Sequence, residues 1–455
     1  MFLGTGSKLT SSCIFATHTG KVTSVQRIYA MSYKINLTVI LYLVAYFNSL
    51  AQPFILKSGN FKHYIDSFNI NDEELYKGPI PNAESWKFLE RNIPLFDSPD
   101  KVLEETYYFR WWTYRKHIRN TPTGYVITEF LPSVPWSGKY NAISCAAGFH
   151  FSEGRWLHDR KYLDQYADYW FYGGGDIRKY SFWSAYAIYN YCMVSNDFSL
   201  AKSLLPALIN NYSSWEKENL DSTGLFWQED GKDGMEMSVC GTEESAGYRA
   251  TINAYMYGDA LAIASIAALL NCLDLEHQFK EKASIIKKNM QQSLWDSSAN
   301  FYKVRPRHLN ALLCSSRELH GYTPWFFNMP DPENNIAWKY LMDTSFFYAP
   351  FGLTTVEQRD PGFKVSYEGH ECQWNGPSWP YATSITLTAL SNLLTNYTQQ
   401  FVDKNDYYKL LHDYAKSQRM TLDNGRVVPW IDENLNPYTG DWISRTRLKT
   451  WDNGH

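Results

Sequence analysis

Two loops of the chain carry acidic residues in a setting typical of acid–base chemistry. In residues 227–238, the glycines around the Lys-Asp pair predict a tight loop that presents Asp233 to a cavity. In residues 430–440, an Asn-Pro turn and a Thr-Gly turn hold the acidic pair Asp432 and Glu433 after a tryptophan. A carboxyl group held by such a loop can act as a general acid or a general base. The alternatives are a helix cap for the first loop and a solvated surface loop for the second.

A third segment, residues 371–380, suits the binding of a sugar. Trp374 and Trp379 flank a Gly-Pro turn, and Gln373 and Asn375 supply amides beside them. The C–H face of a sugar stacks on an aromatic ring, and its hydroxyls take directed hydrogen bonds from amides. These four residues are therefore predicted to bind substrate.

Helix-like segments follow one another through most of the chain. The apolar residues Met256, Ala260, Ile263, Ala267 and Leu270 recur at spacings of four and three, which predicts a helix packed on one face. Similar patterns cover about 100–118, 179–195, 199–219, 275–294, 381–396 and 404–420. Short connections between neighbours predict antiparallel hairpins.

Strand signals are confined to short pieces, residues 125–128 and 301–304. The prediction is an all-α fold, with serial hairpins forming an α/α toroid whose loops at one rim carry the site. A superhelical repeat array is the competing architecture, but no fixed period of about 30 to 45 residues is found.

The motifs DGMEMS, QWNGPSWPYATS and DENLNPYTG, in that order, resemble those of the six-hairpin glycosidases. The resemblance is to the mannosylglycerate-hydrolase-like group, glycoside hydrolase family 63 and, more distantly, trehalases. It covers about residues 100–450 and implies an (α/α)6 barrel over 99–455, with the last hairpin incomplete because the chain is truncated at its C-terminus. It also implies an inverting O-glycoside hydrolase of oligosaccharides or polysaccharides, with Asp233 as general acid and Glu433 as general base.

The acid motif departs from the family pattern. The related enzymes usually have Gly-Trp-Asp, whereas this chain has Lys-Asp at 232–233. Glu236, three residues on, is therefore the alternative acid and otherwise a substrate-binding residue. The toroid also implies pocket-facing side chains, each with a plain packing alternative: Arg110, Trp112, Arg155, Trp156, Tyr180 and Trp183.

The N-terminal part has the pattern of an exported protein. Residues 31–51 carry a lysine, an apolar stretch and small residues before position 52, which predicts a signal peptide. Residues 1–30 are then an upstream extension, and 52–98 a lead-in segment. No other segment approaches about 18 consecutive apolar residues, so the mature chain is predicted to lack a stable membrane span and to be periplasmic or extracellular.

The composition of the chain disfavours some classes of binding partner and favours others. The net charge of -4 provides no basic surface for nucleic acid, and aromatic residues make up 17% of the chain, which favours a carbohydrate partner. No cofactor is predicted. The cysteines show no metal-like spacing and cannot be paired from the sequence; they are residues 13, 145, 192, 240, 272, 314 and 372.

Two other functions fit the same toroid. A polysaccharide lyase or sugar epimerase would abstract a proton with a histidine or tyrosine, and His150, His158 and His370 are the candidates. A catalytically inactive carbohydrate-binding toroid would keep ligand affinity without turnover.

Overall fold

The computed structural model describes residues 56–241, 246–308, 311–366, 370–422 and 424–444. The predicted upstream extension and signal peptide lie outside these residues. The described chain is mostly helical. Its helices are α1 (Lys62–Ile70), α2 (Asn82–Asn92), α3 (Lys101–His117), α4 (Ser144–Gly154), α5 (Lys161–Phe171), α6 (Ser184–Ser195), α7 (Ser199–Asn219), α8 (Ala250–Leu269), α9 (Leu273–Ser293), α10 (Thr323–Phe326), α11 (Pro380–Asn396) and α12 (Lys404–Ser417).

These helices pack in a ring. Helices α4, α6, α8, α10 and α11 contact one another in turn, and α5, α7, α9 and α12 form hairpin partners outside them, as an α/α toroid requires. The last helix then packs against α3: Thr106 Oγ1 donates to the Ala415 carbonyl (3.3 Å), and Arg419 forms an ion pair with Glu105 (2.8 Å). The prediction of an incomplete last hairpin concerns residues beyond those described and stays a prediction.

The predicted helices are confirmed, with their ends moved by a few residues. The largest change is at α6, which begins at Ser184 rather than near 179 because residues 179–183 form the entry to the helix. Sequence patterns did not identify α4, α5 or α10, or the 3-10 helix Pro332–Tyr340, and the predicted lead-in segment 52–98 contains two helices, α1 and α2, that were not predicted either. Helices α4 and α10 are short or rich in glycine and aromatic residues, so their apolar period is weak, whereas α5 has a regular apolar face that the sequence analysis missed.

The predicted apolar stripe on α8 covers only part of the surface that this helix buries. Met256, Ala260, Ile263 and Ala267 are buried as predicted, but most of the other residues of α8 are buried too, because α6, α7, α9 and α10 all contact it. Leu270 lies just beyond the helix and is 40% exposed. Among the described helices, α8 meets the length and hydropathy expected of a membrane span, and 72% of that window is buried inside the protein.

Short antiparallel strands connect the helices. Residues 124–127 and 301–302 are strands, close to the predicted segments. The strands are β1 (Ile118–Thr121), β2 (Gly124–Ile127), β3 (Trp227–Glu229), β4 (Ala246–Tyr248), β5 (Trp295–Asp296), β6 (Phe301–Tyr302), β7 (Arg305–Pro306), β8 (Tyr348–Ala349), β9 (Gly352–Leu353), β10 (Arg419–Thr421) and β11 (Val427–Pro429). They pair as β1-β2, β3-β4-β7, β5-β6, β8-β9 and β10-β11, and hold the loops between helices.

The segment before α3 packs against that helix. Tyr64 of α1 donates to Glu104 (2.8 Å), and Trp112 Nε1 donates to Asn69 Oδ1 (2.8 Å). Residues 57–98 thus cover the outer side of α3.

Candidate active site

A cavity of about 620 Å³ opens inside the ring of helices. This volume is in the usual range for small-molecule sites. Its wall comes from α3, α4, α6, α10, α11 and α12, from the end of β2 and the residues after it, and from the loop after β11. Polar and aromatic wall residues include Arg110, Glu129, His150, Glu153, Arg155, Tyr186, Asn190, Trp379, Tyr381, Tyr414, Asp432 and Glu433.

The second and third sequence motifs meet at this wall. Ser378 and Leu435 exchange two backbone hydrogen bonds, each of 3.0 Å, and Asn434 Nδ2 donates to the Glu371 carbonyl (2.7 Å). Residues 371–380 and 430–440 therefore form one rigid unit, although about 60 residues separate them in the chain.

The tryptophan pair is held by its own turn. The Trp374 and Trp379 rings stack with centroids 4.4 Å apart, and Trp379 Nε1 donates to the Gln373 carbonyl (2.7 Å). Gly376 permits this turn, because a Cβ there would lie 2.1 Å from the Lys364 carbonyl oxygen. Trp379 lines the cavity, and Trp374 supports it from behind.

Three carboxyl groups lie together on the cavity wall: Glu129, Asp432 and Glu433. Burial, followed by the charges of Asp432, Glu129 and Glu236, raises the pKa of Glu433 well above its ordinary value. Burial and the charge of Glu236 raise the pKa of Glu129 to about 8. The Glu433 backbone N–H donates to Asp432 Oδ1 (3.0 Å), which fixes the pair.

Glu236 belongs to the same electrostatic group. Its side chain is partly exposed, and its charge acts on both Glu129 and Glu433. Because a charge interaction weakens with distance, Glu236 lies near these two wall residues. The alternative acid of the sequence analysis is thus brought to the predicted base.

Asp233 is in a different environment. It ends a short 3-10 helix (Gly231–Asp233), is 0% exposed and does not line the cavity. Thr251 donates a hydrogen bond to its carboxyl group. Burial raises the pKa of Asp233 to about 6, while the Thr251 hydrogen bond opposes the shift. The predicted presentation of Asp233 to the cavity is therefore not what the structure has; the side chain turns inward and ties the loop to α8.

The loop that carries Glu236 is fastened at both ends. On one side, the Ser181 N–H donates to the Lys232 carbonyl (2.9 Å), and Ser238 Oγ donates to Asp230 Oδ2 (2.8 Å). On the other side, the Val239 N–H donates to Glu318 Oε1 (3.0 Å).

A disulfide, Cys240–Cys314, joins the end of this loop to the segment before α10. The pairing could not be predicted from the sequence, because 74 residues separate the two cysteines and neither lies in a recognisable motif.

Other predicted substrate-binding residues reach the cavity or its support. Arg110 and Arg155 line the wall, and Arg110 pairs with Glu153 (3.1 Å). Gln373 is fully buried, and among the described residues its side-chain amide has no hydrogen-bond partner. Asn375 is buried, and its backbone carbonyl oxygen accepts from the Lys364 backbone N–H (2.8 Å).

Four predicted pocket residues lie elsewhere. Trp112 packs under α1, Trp183 is buried among α4, α8 and α10 aromatics, and neither lines the cavity. Trp156 is 47% exposed on the surface, where the Arg155 guanidinium lies 5.5 Å from its ring centroid. Tyr180 packs on Phe130, beside the acidic group rather than on the wall. The resemblance to a toroid could not predict which way these side chains point, because a helix in a ring buries aromatic residues on several faces.

The sequence analysis did not identify Glu129, Glu153, Tyr381 or Tyr414 as wall residues. Glu129 had one signal: an acidic residue inside an apolar stretch just after β2. Among the histidines considered for a lyase, His150 lines the cavity and contacts the Tyr166 hydroxyl (2.9 Å), whereas His158 is exposed.

Comparison with known proteins agrees with this architecture. The family model described as a mannosylglycerate hydrolase MGH1-like glycoside hydrolase domain matches residues 139–449, more than half of the chain. No curated protein matches the chain.

Solved structures share the fold. A structure titled sialidase is 39% identical, with a TM-score of 0.81 over 86% of this chain and 36% of that one. The present chain therefore spans about a third of that protein. The GH63 mannosylglycerate hydrolase from Thermus thermophilus, in complex with Tris and D-glycerate, is 13% identical, with a TM-score of 0.54 over 76% of this chain and 98% of that one. An uncharacterized conserved protein from the same organism is 14% identical, with a TM-score of 0.54 over 69% and 92%.

Proposed function

The chain belongs to the family of mannosylglycerate hydrolase MGH1-like glycoside hydrolases, and we propose that it hydrolyses an O-glycosidic bond of an oligosaccharide or polysaccharide with inversion. The observation that carries the proposal is the placement of Glu433, together with Asp432 and Glu129, on the wall of a cavity that Trp379 also lines. Inverting hydrolysis uses two such carboxyl groups, roughly 6.5–9.5 Å apart.

Glu236 is the general acid in this proposal, in place of Asp233. A general acid must reach the leaving oxygen, and Asp233 is buried and bonded to Thr251, whereas Glu236 is partly exposed beside the wall. The motif Gly-Met-Glu at 234–236 also has the order of the relatives' Gly-Trp-Asp.

Glu433 is the general base. It takes the proton of a water molecule as that water attacks the anomeric carbon, while Glu236 protonates the leaving oxygen. The pKa of Glu433 is raised by burial first and by the charges of its neighbours, Glu236 among them. A proton on Glu236 removes one of these charges and so favours ionised Glu433, which is the combination that inversion needs.

Trp379, supported by Trp374, is the sugar platform, because its ring is on the wall and its orientation is fixed by a hydrogen bond. Arg110 and Glu153, paired across α3 and α4, offer hydrogen bonds to sugar hydroxyls at the same wall.

The protein is exported in this proposal. The signal-like segment at 31–51 supports export, and so does the Cys240–Cys314 disulfide, because disulfides persist mainly in oxidising compartments.

The test is a screen on α- and β-linked 4-nitrophenyl glycosides, mannosylglycerate and plant polysaccharide fragments, followed by proton NMR of the first product anomer. Inversion of configuration is expected, and retention would overturn the inverting mechanism. An unsaturated uronate absorbing in the ultraviolet would identify a lyase instead.

A leaving-group comparison tests the acid. A glycosyl fluoride needs little protonation, so it should partly rescue Glu236→Gln. Asp233→Asn is the matched control and should retain activity on the glycosyl fluoride and on a substrate with a poorer leaving group. If the glycosyl fluoride instead rescues Asp233→Asn while Glu236→Gln stays active, the general acid is Asp233.

A further inference from the structure

We propose that Cys372 is a positioning residue for Glu433, whose carboxylate it holds toward the cavity by an S–H hydrogen bond. This inference rests on the proposed role of Glu433 as general base. It assigns a role to a cysteine that the tryptophan motif and the acidic motif leave unexplained.

The geometry supplies the contact. Cys372 Sγ lies 3.8 Å from Glu433 Oε2, within the range of a weak thiol hydrogen bond. A neighbouring hydrogen bond joins the same two segments: Asn434 Nδ2 donates to the Glu371 carbonyl (2.7 Å). Residues 371 and 372 thus contact residues 434 and 433 in successive steps, so the thiol faces the carboxylate from a fixed backbone.

The backbone around the thiol is also fixed. The Cys372 N–H donates to His370 Nδ1 (3.0 Å), and the Gln373 N–H donates to the Glu371 carbonyl (3.1 Å). The side chain of Cys372 is half-buried at this point. A thiol held in this way has little freedom to turn away from Glu433.

The thiol is in its donor form. Burial, followed by the charge of Glu433, raises the pKa of Cys372 well above its ordinary value, so the sulfur keeps its proton at neutral pH. A thiolate would instead repel the carboxylate.

Three of the ionisable groups that act on Glu433 in the described part of the chain are acidic. They are Asp432, Glu129 and Glu236, and each favours protonated Glu433. The Cys372 hydrogen bond acts in the opposite direction, because it stabilises the ionised carboxylate. Cys372 therefore supports the ionised form that a general base requires.

The first test compares the pH profiles of kcat/KM for Cys372→Ala and Cys372→Ser, using the 4-nitrophenyl glycoside cleaved fastest in the screen. Loss of the donor in Cys372→Ala should move the acidic limb to higher pH and lower kcat/KM roughly three- to tenfold on that limb. Cys372→Ser keeps a donor and should restore the limb. Cys192→Ala, at a buried thiol on α6, is the matched control for loss of packing.

An unmoved acidic limb in Cys372→Ala would overturn the inference, whatever the change in stability. The outcome is distinct from failure of the proposed function, in which Glu433→Gln itself would remain active.

A second test needs no substrate. Glu433→Gln removes a charge that suppresses ionisation of the Cys372 thiol, so iodoacetamide should alkylate Cys372 faster in this variant at a fixed pH, as measured by peptide mass mapping. The exposed Cys272 is the internal control and should react at an unchanged rate. Equal alkylation rates of Cys372 in the two proteins would rule out the contact.

Discussion

The two acidic loops of this protein look alike in sequence and differ in structure. Each follows a tryptophan, contains more than one acidic side chain and is bounded by turn residues. In the second loop, both Asp432 and Glu433 line the cavity. In the first loop, Asp233 turns into the protein and bonds to Thr251, and Glu236 is the partly exposed carboxylate.

The backbone explains the difference. Asp233 ends a 3-10 helix and is followed by Gly234 in the left-handed region (φ 72°), which reverses the chain before Glu236. The second loop is instead held against residues 371–380 by the Ser378–Leu435 pairing. Turn residues thus predict that a loop is tight, but not which of its carboxylates faces a ligand.

The largest expected effects come from the two carboxylates assigned to chemistry. Glu433→Gln and Glu236→Gln should each lower kcat by roughly 10² to 10⁴, because each removes a proton transfer while keeping the shape of the side chain. Sugar affinity measured by calorimetry and Tm should change little. If Glu236→Gln keeps its activity, Glu236 is not the residue through which the first loop takes part in catalysis.

Removing the Cys240–Cys314 disulfide tests whether the first acidic loop depends on this bridge for its position. Cys240→Ser with Cys314→Ser should lower the free energy of unfolding by roughly 2–4 kcal/mol, because the bridge closes a long loop. The proposed acid, Glu236, is four residues from Cys240, so kcat/KM should fall as well. Denaturant unfolding and kinetics would measure the two effects, with Cys272→Ser as the control. Unchanged kinetics would mean that Glu318 and Asp230 hold the loop without the bridge.

Asp233 should behave as a structural residue. Asp233→Ala removes the acceptor of a buried hydrogen bond and should cost about 1–3 kcal/mol of unfolding free energy. Thr251→Val, which removes the donor, is the matched variant, and a double-mutant cycle isolates their coupling. A large loss of kcat without a loss of stability would contradict this assignment.

The pH dependence of stability gives the smallest expected effect. The pKa of Asp233 is raised from 3.8 to about 6, mainly by burial, so the native state binds a proton that the unfolded state has lost. This contribution to stability is complete below the unfolded value and disappears as the pH rises through about 6. The fall in Tm between about pH 4 and about pH 7.5 should therefore be smaller in Asp233→Asn than in the unmodified protein. An identical fall would show that Asp233 titrates normally.

The fold was largely predictable from the sequence, and the site was predictable in part. Long helices such as α7 and α9 have a regular apolar period, whereas α10 has four residues and no period to detect. Trp379 and Glu433 were found because turn residues and motif order mark them. Glu129 and Tyr414 come to the wall only through the packing of distant segments, which no local pattern records.

The contact of α12 with α3 also bears on how the protein is made. Thr106 and Ala415, which bond across this contact, are 309 residues apart in the chain. A ribosome adds roughly 5–20 residues per second, so α3 emerges tens of seconds before its partner does. Until then the cavity has no closed wall, and the apolar side of α3 is exposed to other nascent chains. The ring is thus closed only after α12 has been made, and the interval before ring closure is when the chain depends most on chaperones.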